Sequence, residues 1–273
     1  MTREVNIGII QFESVLGDVE ANVSKAIKLI EEAAKKGANI VVLPELFATG
    51  YNLEILQERI AELSIEYFKY TYDSMATAAR ENNVYLIASF GEIREVPGIV
   101  FNSSIVFDDK GEKMGSFAKS HLWFRDRLYF KEGNDYPVFE TKYGKFGIAI
   151  CYDMGFPETF RSLMLQGAEM IFVPAAWRIE DEDMWNMNIP QRSLENILFT
   201  IGVNRYGIED NLHMFGRSMV ANPRGKIIHE LPKDKEAVEV VKIDLDEVNK
   251  YRTQISYLRD RKPHIYRKLT EVK

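Results

Sequence analysis

The segment Gly37-Ala38-Asn39-Ile40-Val41-Val42-Leu43-Pro44 decides the fold, because its pattern returns later as Gly167-Ala168-Glu169-Met170-Ile171-Phe172-Val173-Pro174. Each copy reads as a helix stop, a buried strand and a proline. Before the first copy, residues 22–36 place Val23, Ala26, Ile27, Ile30 and Ala33 on one helical face, and Gly37 ends that helix. Before the second, residues 157–166 read as a helix with Pro157 near its first turn. The echo predicts two similar halves, each a sheet covered by helices on one side. Stacking the two uncovered apolar faces buries both, giving a four-layer α-β-β-α sandwich of the α/β class. No linker-like stretch separates the halves, so residues 1–273 are expected to form one domain.

The remaining pattern fits that plan. Further strands are expected at 5–12, 84–92, 102–107, 113–119, 146–151, 199–204, 218–221, 226–230 and 237–243. Helices are expected at 62–82, near 184–197 with Pro190 at a start or a kink, and at 246–252. Residues 120–137 read as a loop, and the last twenty as a basic, aromatic tail.

Composition removes several classes of function. The chain is 46% hydrophobic and 28% charged, ordinary for a globular protein. A net charge of −6 gives no general attraction to nucleic acid or anionic membranes, and no apolar run approaches the ~18–20 residues of a membrane-spanning helix. Neither kind of partner is expected. The start, MTREVNIGIIQF, reads as a first strand and not a signal peptide. One cysteine excludes an intrachain disulfide and a multi-thiolate zinc site. The four histidines, His121, His213, His229 and His264, show no metal-ligand spacing. A cytoplasmic protein is the plain inference.

Three side chains stand at comparable places. Glu45 follows the strand at 39–44, the lone Cys151 ends the strand begun at 146, and Lys119 closes the strand begun at 113. Sites in open α/β sheets gather beyond the carboxyl ends of strands, so a carboxylate, an ammonium and a thiol can converge there. Their chemistry fits one job. A thiolate forms more readily beside a cation or a helix N-terminus, and here Lys119 and the helix begun near Pro157 supply these. Glu45 is placed to take the thiol proton and pass it to a leaving amine. The Tyr152 N–H and Lys119 are the expected donors to an oxyanion. Each residue also has a plainer reading: a buried core cysteine, a solvated loop glutamate, a surface lysine.

The surrounding motifs resemble the nitrilase, or carbon–nitrogen hydrolase, superfamily over nearly the whole chain. IGIIQF with GDVEANV comes first, then VVLPELFATGY around Glu45 and FAKSHLWF with FKEGN around Lys119. GIAICYDMGFPETFR with LMLQGAEMIFVPAAW surrounds Cys151, and VNRYG, FGRSMVANPRGKII and YLRDRKPHIY complete the order. The resemblance implies Cys151 as nucleophile, Glu45 as general base and Lys119 as the cation stabilising the intermediate. It implies the same four-layer sandwich, homodimers or larger homo-oligomers, and no metal or organic cofactor; the tail at about 257–273 is expected at a subunit interface. It gives His121 no part as a base. Two departures matter. Many members carry a second glutamate after the lysine, whereas the nearest acid here is Asp126, one methylene shorter, with Glu132 beyond it. Asp126 either supports Lys119 from farther off or does not. Some relatives acting on amides of dicarboxylic acids have an arginine where this chain has Gly155; Arg178 either substitutes or faces solvent.

Nitrilases commonly show CWE where this chain has CYD, which looks more like the amidase and carbamoylase branches. The expected activity is hydrolysis of a small aliphatic amide, with ammonia release, through a Cys151 thioester. N-carbamoyl amine hydrolysis, nitrile hydrolysis and a catalytically silent oligomeric scaffold are the alternatives. A thiol redox role calls for a resolving cysteine, which the chain lacks. Phe47, Tyr51, Trp123, Tyr152 and Trp177 are the expected pocket walls, with Arg178 beside them, suiting a small, largely apolar acyl group.

Overall fold

The structure, a computed structural model, describes residues 3–271. The two residues at either end, which belong to the domain and tail read from the sequence, lie outside the described residues. The first half runs β1 (Glu4–Gln11), α1 (Val19–Lys35), β2 (Ile40–Val42), α2 (Leu53–Leu56), α3 (Arg59–Asn82), β3 (Tyr85–Ile93), β4 (Val100–Phe107) and β5 (Lys113–Ala118). After α4 (Asp126–Tyr129), the second half runs β6 (Phe139–Thr141), β7 (Gly144–Ile148), α5 (Pro157–Leu165), β8 (Met170–Ala175), α6 (Glu182–Asn196) and β9 (Phe199–Asn204). It continues with β10 (Tyr206–Glu209), β11 (Leu212–Phe215), β12 (Met219–Ala221), β13 (Ile227–Glu230), β14 (Ala237–Asp244) and α7 (Asp246–Gln254).

The echo is realised as two six-stranded sheets of matching plan, β14-β1-β2-β3-β4-β5 and β13-β12-β9-β8-β7-β6. In each, three parallel strands joined through helices form the centre: β1-β2-β3 and β7-β8-β9. Antiparallel strands flank both centres. The two echoed segments supply the middle strands, β2 and β8, and their glycines adopt the left-handed backbone the helix stop requires, with φ +89° at Gly37 and +100° at Gly167.

Alternation along β2 shows why its sequence is apolar throughout. Ile40 and Val42 point between the sheets, into a core shared with Phe146, Ile148 and Phe172 of the second sheet. Val41 and Leu43 point the other way, into a core with Val23, Ala26 and Ile30 of α1 and Met75 and Ala79 of α3. A strand buried on both faces cannot alternate polar with apolar. Among the described residues no helix is long and apolar enough to cross a membrane.

Several elements differ from the sequence reading. The expected loop at 120–137 holds α4, nucleated where Asp126 N–H donates to Trp123 O at 2.8 Å and its carboxylate accepts the Trp123 N–H at 3.1 Å. A two-stranded hairpin, β10–β11, stands outside both sheets, and its four-residue strands are too short to show a period. Of the two placements expected for Pro190, a start or a kink, the start is excluded, because it lies inside α6. Cys151 does not end a strand: β7 stops at Ile148, and Cys151 opens a 3₁₀ turn spanning Cys151–Gly155.

Candidate active site

The ends of β2 and β5, the turn after β7 and the start of α4 bring four side chains together. Glu45 lies just past β2, where Leu46 at φ +46° turns the chain. Lys119 follows β5, and its N–H donates to Asn102 O in β4 at 2.8 Å. The side chain of the same Asn102 donates to Glu45 Oε1 at 2.8 Å, so one residue sets both partners. Lys119 Nζ lies 2.8 Å from Glu45 Oε1 and 2.7 Å from Asp126 Oδ2. All three ionisable groups are completely buried, and Cys151 is 7% exposed.

Asp126 therefore reaches Lys119 despite its short side chain, because α4 carries its backbone inward. Its other oxygen accepts the Tyr51 hydroxyl at 2.8 Å. Glu132, the other acid considered, is exposed and pairs with Lys131.

The electrostatics decide which charges persist. Burial opposes the Lys119 charge, but Asp126 and Glu45 outweigh it and hold the ammonium well above the usual lysine range. Burial raises the Tyr51 phenol, and the charge of Asp126 adds to that, so it stays a neutral donor. Cys151 is pushed well above the usual thiol range by burial first and by the Glu45 charge second; Lys119 and the Ala176 N–H pull it down less. The effect of the neighbouring cation is therefore outweighed by burial and the Glu45 charge. Cys151 itself sits at φ +48°, a left-handed conformation that is strained for a residue with a side chain.

Around the sulfur lies a cavity of about 200 Å³ lined by Tyr51, Trp123, Tyr152, Trp177 and Arg178 among the expected residues. Phe47 is not a wall. It lies beyond the Leu46 turn, fully buried, with its ring packed against Phe12 and Phe90 at 6.3 and 6.1 Å. Arg178 lines the cavity but is not a free cation: its Nε is 2.5 Å from Asp181 Oδ2 and its guanidinium lies 5.1 Å above the Trp123 ring. His121 turns away from the chemistry. Its Nδ1 lies 2.7 Å from Asp153 Oδ1, and its ring stacks on Phe156 at 3.7 Å.

Sequence reasoning missed the groups that hold the cluster. Ala176 N–H donates to Glu45 Oε2 at 2.9 Å. Buried Asp153 ties the Cys151 turn to the Lys119 loop, accepting Ile150 N–H at 3.1 Å and His121 N–H at 2.8 Å. Asn204 accepts Trp177 N–H at 2.7 Å. The available signal was polar residues inside apolar strands, Asn102-Ser103-Ser104 in β4 and Asn204 in β9. Among the described residues no group of three His, Cys, Asp or Glu side chains is placed to hold a metal ion.

Comparison with known proteins gives the same direction. The family model described as carbon-nitrogen hydrolase matches residues 6–253. A probable nitrilase of Schizosaccharomyces pombe is 32% identical, covering 97% of this chain and 98% of its own. N-carbamoylputrescine amidase of Arabidopsis thaliana is 33% identical, covering 98% and 95%. Among solved structures, an amidase from Nesterenkonia sp. superposes with a TM-score of 0.86 at 25% identity, covering 97% of this chain and 96% of that one.

Proposed function

The chain belongs to the carbon–nitrogen hydrolase family, and we propose that within it the protein is an amidase that hydrolyses a small aliphatic amide through a thioester on Cys151. The observation that carries this reading is the Lys119 ammonium held between Glu45 and Asp126 in the cluster that also contains the Cys151 thiol. Lysine has three donors; two are used on these carboxylates, and the third is left for a substrate oxygen. A carboxylate offers about four acceptor positions. Asn102, Lys119 and Ala176 occupy three on Glu45, which leaves one for the thiol proton.

The reaction follows from these vacancies. Glu45 takes the proton as Sγ bonds to the amide carbon, and the carbonyl π pair moves to oxygen. Lys119 and the Tyr152 N–H hold that oxyanion; one such donor is typically worth about 3–4 kcal/mol of barrier. Collapse breaks the C–N bond, and protonated Glu45 delivers its proton to the departing ammonia. Glu45 then deprotonates a water that attacks the thioester. The second collapse breaks the C–S bond, releases the carboxylic acid and returns the proton to sulfur.

The cavity volume of about 200 Å³ lies below the ~300 Å³ at which ordinary ligand sites begin, which supports a short acyl group. Pairing of Arg178 with Asp181 supports a neutral one. One observation favours N-carbamoyl amines as a second reading. Past Tyr51, Trp123 and Arg178 lies a recess of about 430 Å³, with room for an amine chain beyond the scissile bond; its glutamates, Glu54 and Glu180, pair with Arg125 and Arg178 on the same walls. An ammonia-release screen over short amides, carbamoyl amines and nitriles, run beside Cys151→Ala, tests the reading. Turnover of amides by the cysteine-free variant refutes the mechanism, and carbon dioxide released with ammonia selects the second substrate class.

The same reading takes the chain as one cytoplasmic domain acting as a homodimer or larger homo-oligomer. Exposure of Tyr257, Ile265, Tyr266 and Leu269 along the tail supports a subunit contact there.

A further inference from the structure

Apart from Asn204, the VNRYG motif and the hairpin after it have no role above, yet they contain a buried ion pair. Arg205, just past β9, is completely buried and pairs with Glu209, itself 4% exposed. Burying both charges is costly unless their geometry is used. The Glu209 carboxylate spends its remaining capacity on one stretch of backbone: Oε2 accepts Tyr51 N–H at 2.9 Å and Asn52 N–H at 2.8 Å. The Asn52 side chain returns the contact, donating to Glu209 O at 2.6 Å. The preceding Gly50 has φ +82°, and a Cβ there would stand 2.8 Å from Glu209 Oε1. The chain can thus wrap this carboxylate only because residue 50 has no side chain.

We propose that Glu209, held by Arg205, is a positioning residue that fixes Tyr51 so that its hydroxyl locks Asp126 against Lys119. The route is continuous. Glu209 grips the Tyr51 backbone, the Tyr51 hydroxyl donates to Asp126 Oδ1 at 2.8 Å, and Asp126 Oδ2 accepts from Lys119 at 2.7 Å. Tyr51 is also a cavity wall, so the pair sets one face of the substrate space as well. In Glu209→Gln, the amide nitrogen faces either the Arg205 guanidinium or the two backbone N–H groups, and donor then meets donor.

The inference rests on the amidase reading, and a double-mutant cycle separates the two. The variants are Glu209→Gln, Tyr51→Phe and the pair, each followed by kcat on the amide the wild type turns over best and by the rate of Cys151 alkylation with iodoacetamide, which needs no turnover. Displacing the ammonium by about 1 Å is expected to lower kcat roughly 100-fold, in either single variant. The double variant is expected to lose no more than the worse single one, because both break the same route. Losses that multiply, or a Glu209→Gln enzyme with wild-type kcat, overturn the proposal. A wild type that turns over no amide sinks the amidase reading alone, and the alkylation cycle then decides the positioning role by the same criterion. Should Glu209→Gln fail to fold, the cycle is run with Glu209→Asp, which keeps the charge but shortens its reach.

Discussion

Replacing Lys119 with methionine removes one charge and almost no volume, so it isolates the electrostatics of the cluster. The ammonium stands 2.8 Å from Glu45 and 2.7 Å from Asp126, with all three groups buried. At an effective dielectric of about 20, each attraction is about 6 kcal/mol, largely offset by the cost of taking the ions out of water. Removing one partner of a buried group typically costs about 3–5 kcal/mol, because the remaining charge is stranded. In a chain of this size that corresponds to a fall in Tm of roughly 10 °C. The pH dependence is the sharper test. Lys119 is held above its ordinary range, so the stability it contributes is fully present below its unfolded value and is lost only as pH rises through the folded one. The wild-type contribution of Lys119 is therefore level between pH 5 and 8. In the variant, two buried carboxylates face each other without a cation, and one takes up a proton. A carboxylate protonated more readily folded than unfolded favours the fold at low pH and loses that advantage as pH rises. The deficit in Tm against wild type, followed by circular dichroism, should be small at pH 5 and full at pH 8. A deficit that is constant, or that shrinks with rising pH, refutes the reasoning.

Other perturbations read other parts of the site. Because burial and the Glu45 charge raise the Cys151 thiol, ultraviolet titration at 240 nm should show no Cys151 thiolate at pH 7–8 when compared with Cys151→Ala; a thiolate signal there contradicts the need for a base. Asp153→Asn sets an NH₂ against either Ile150 N–H or the His121 donors, costing about 1–3 kcal/mol of stability and lowering kcat by loosening the nucleophile turn; unchanged kcat and Tm would remove that link. Phe47→Leu should cost about 1 kcal/mol of stability and leave KM unchanged, since Phe47 is core; a raised KM would return it to the pocket wall.

The fold was legible where both sheets need the same pattern. The glycine stops and apolar runs of β2 and β8 appear as twin motifs because both strands are middle strands, buried on two faces. Glu45, Lys119 and Cys151 were legible as candidates because each stands at the end of such a run. The geometry around them was not. Whether Asp126 reaches Lys119 depends on one turn of helix, too short to leave a period in the sequence. Phe47 and Tyr51 look alike as aromatics beside Glu45, but the turn at Leu46 sends the first into the core, and Glu209, far along the chain, holds the second at the cavity. That burial and the Glu45 charge outweigh the cation at the sulfur depends on the packing around it, which the sequence does not show.

A crystal structure of Cys151→Ala soaked with a short aliphatic amide that the wild type hydrolyses addresses the catalytic arrangement directly. The expected density places the amide oxygen about 2.7–3.1 Å from Lys119 Nζ and from the Tyr152 N–H, with the carbonyl carbon above the place vacated by sulfur and the Glu45 carboxylate facing the amide nitrogen. An amide bound with its nitrogen toward Lys119, or lodged in the outer recess with the Lys119 donor unused, contradicts it.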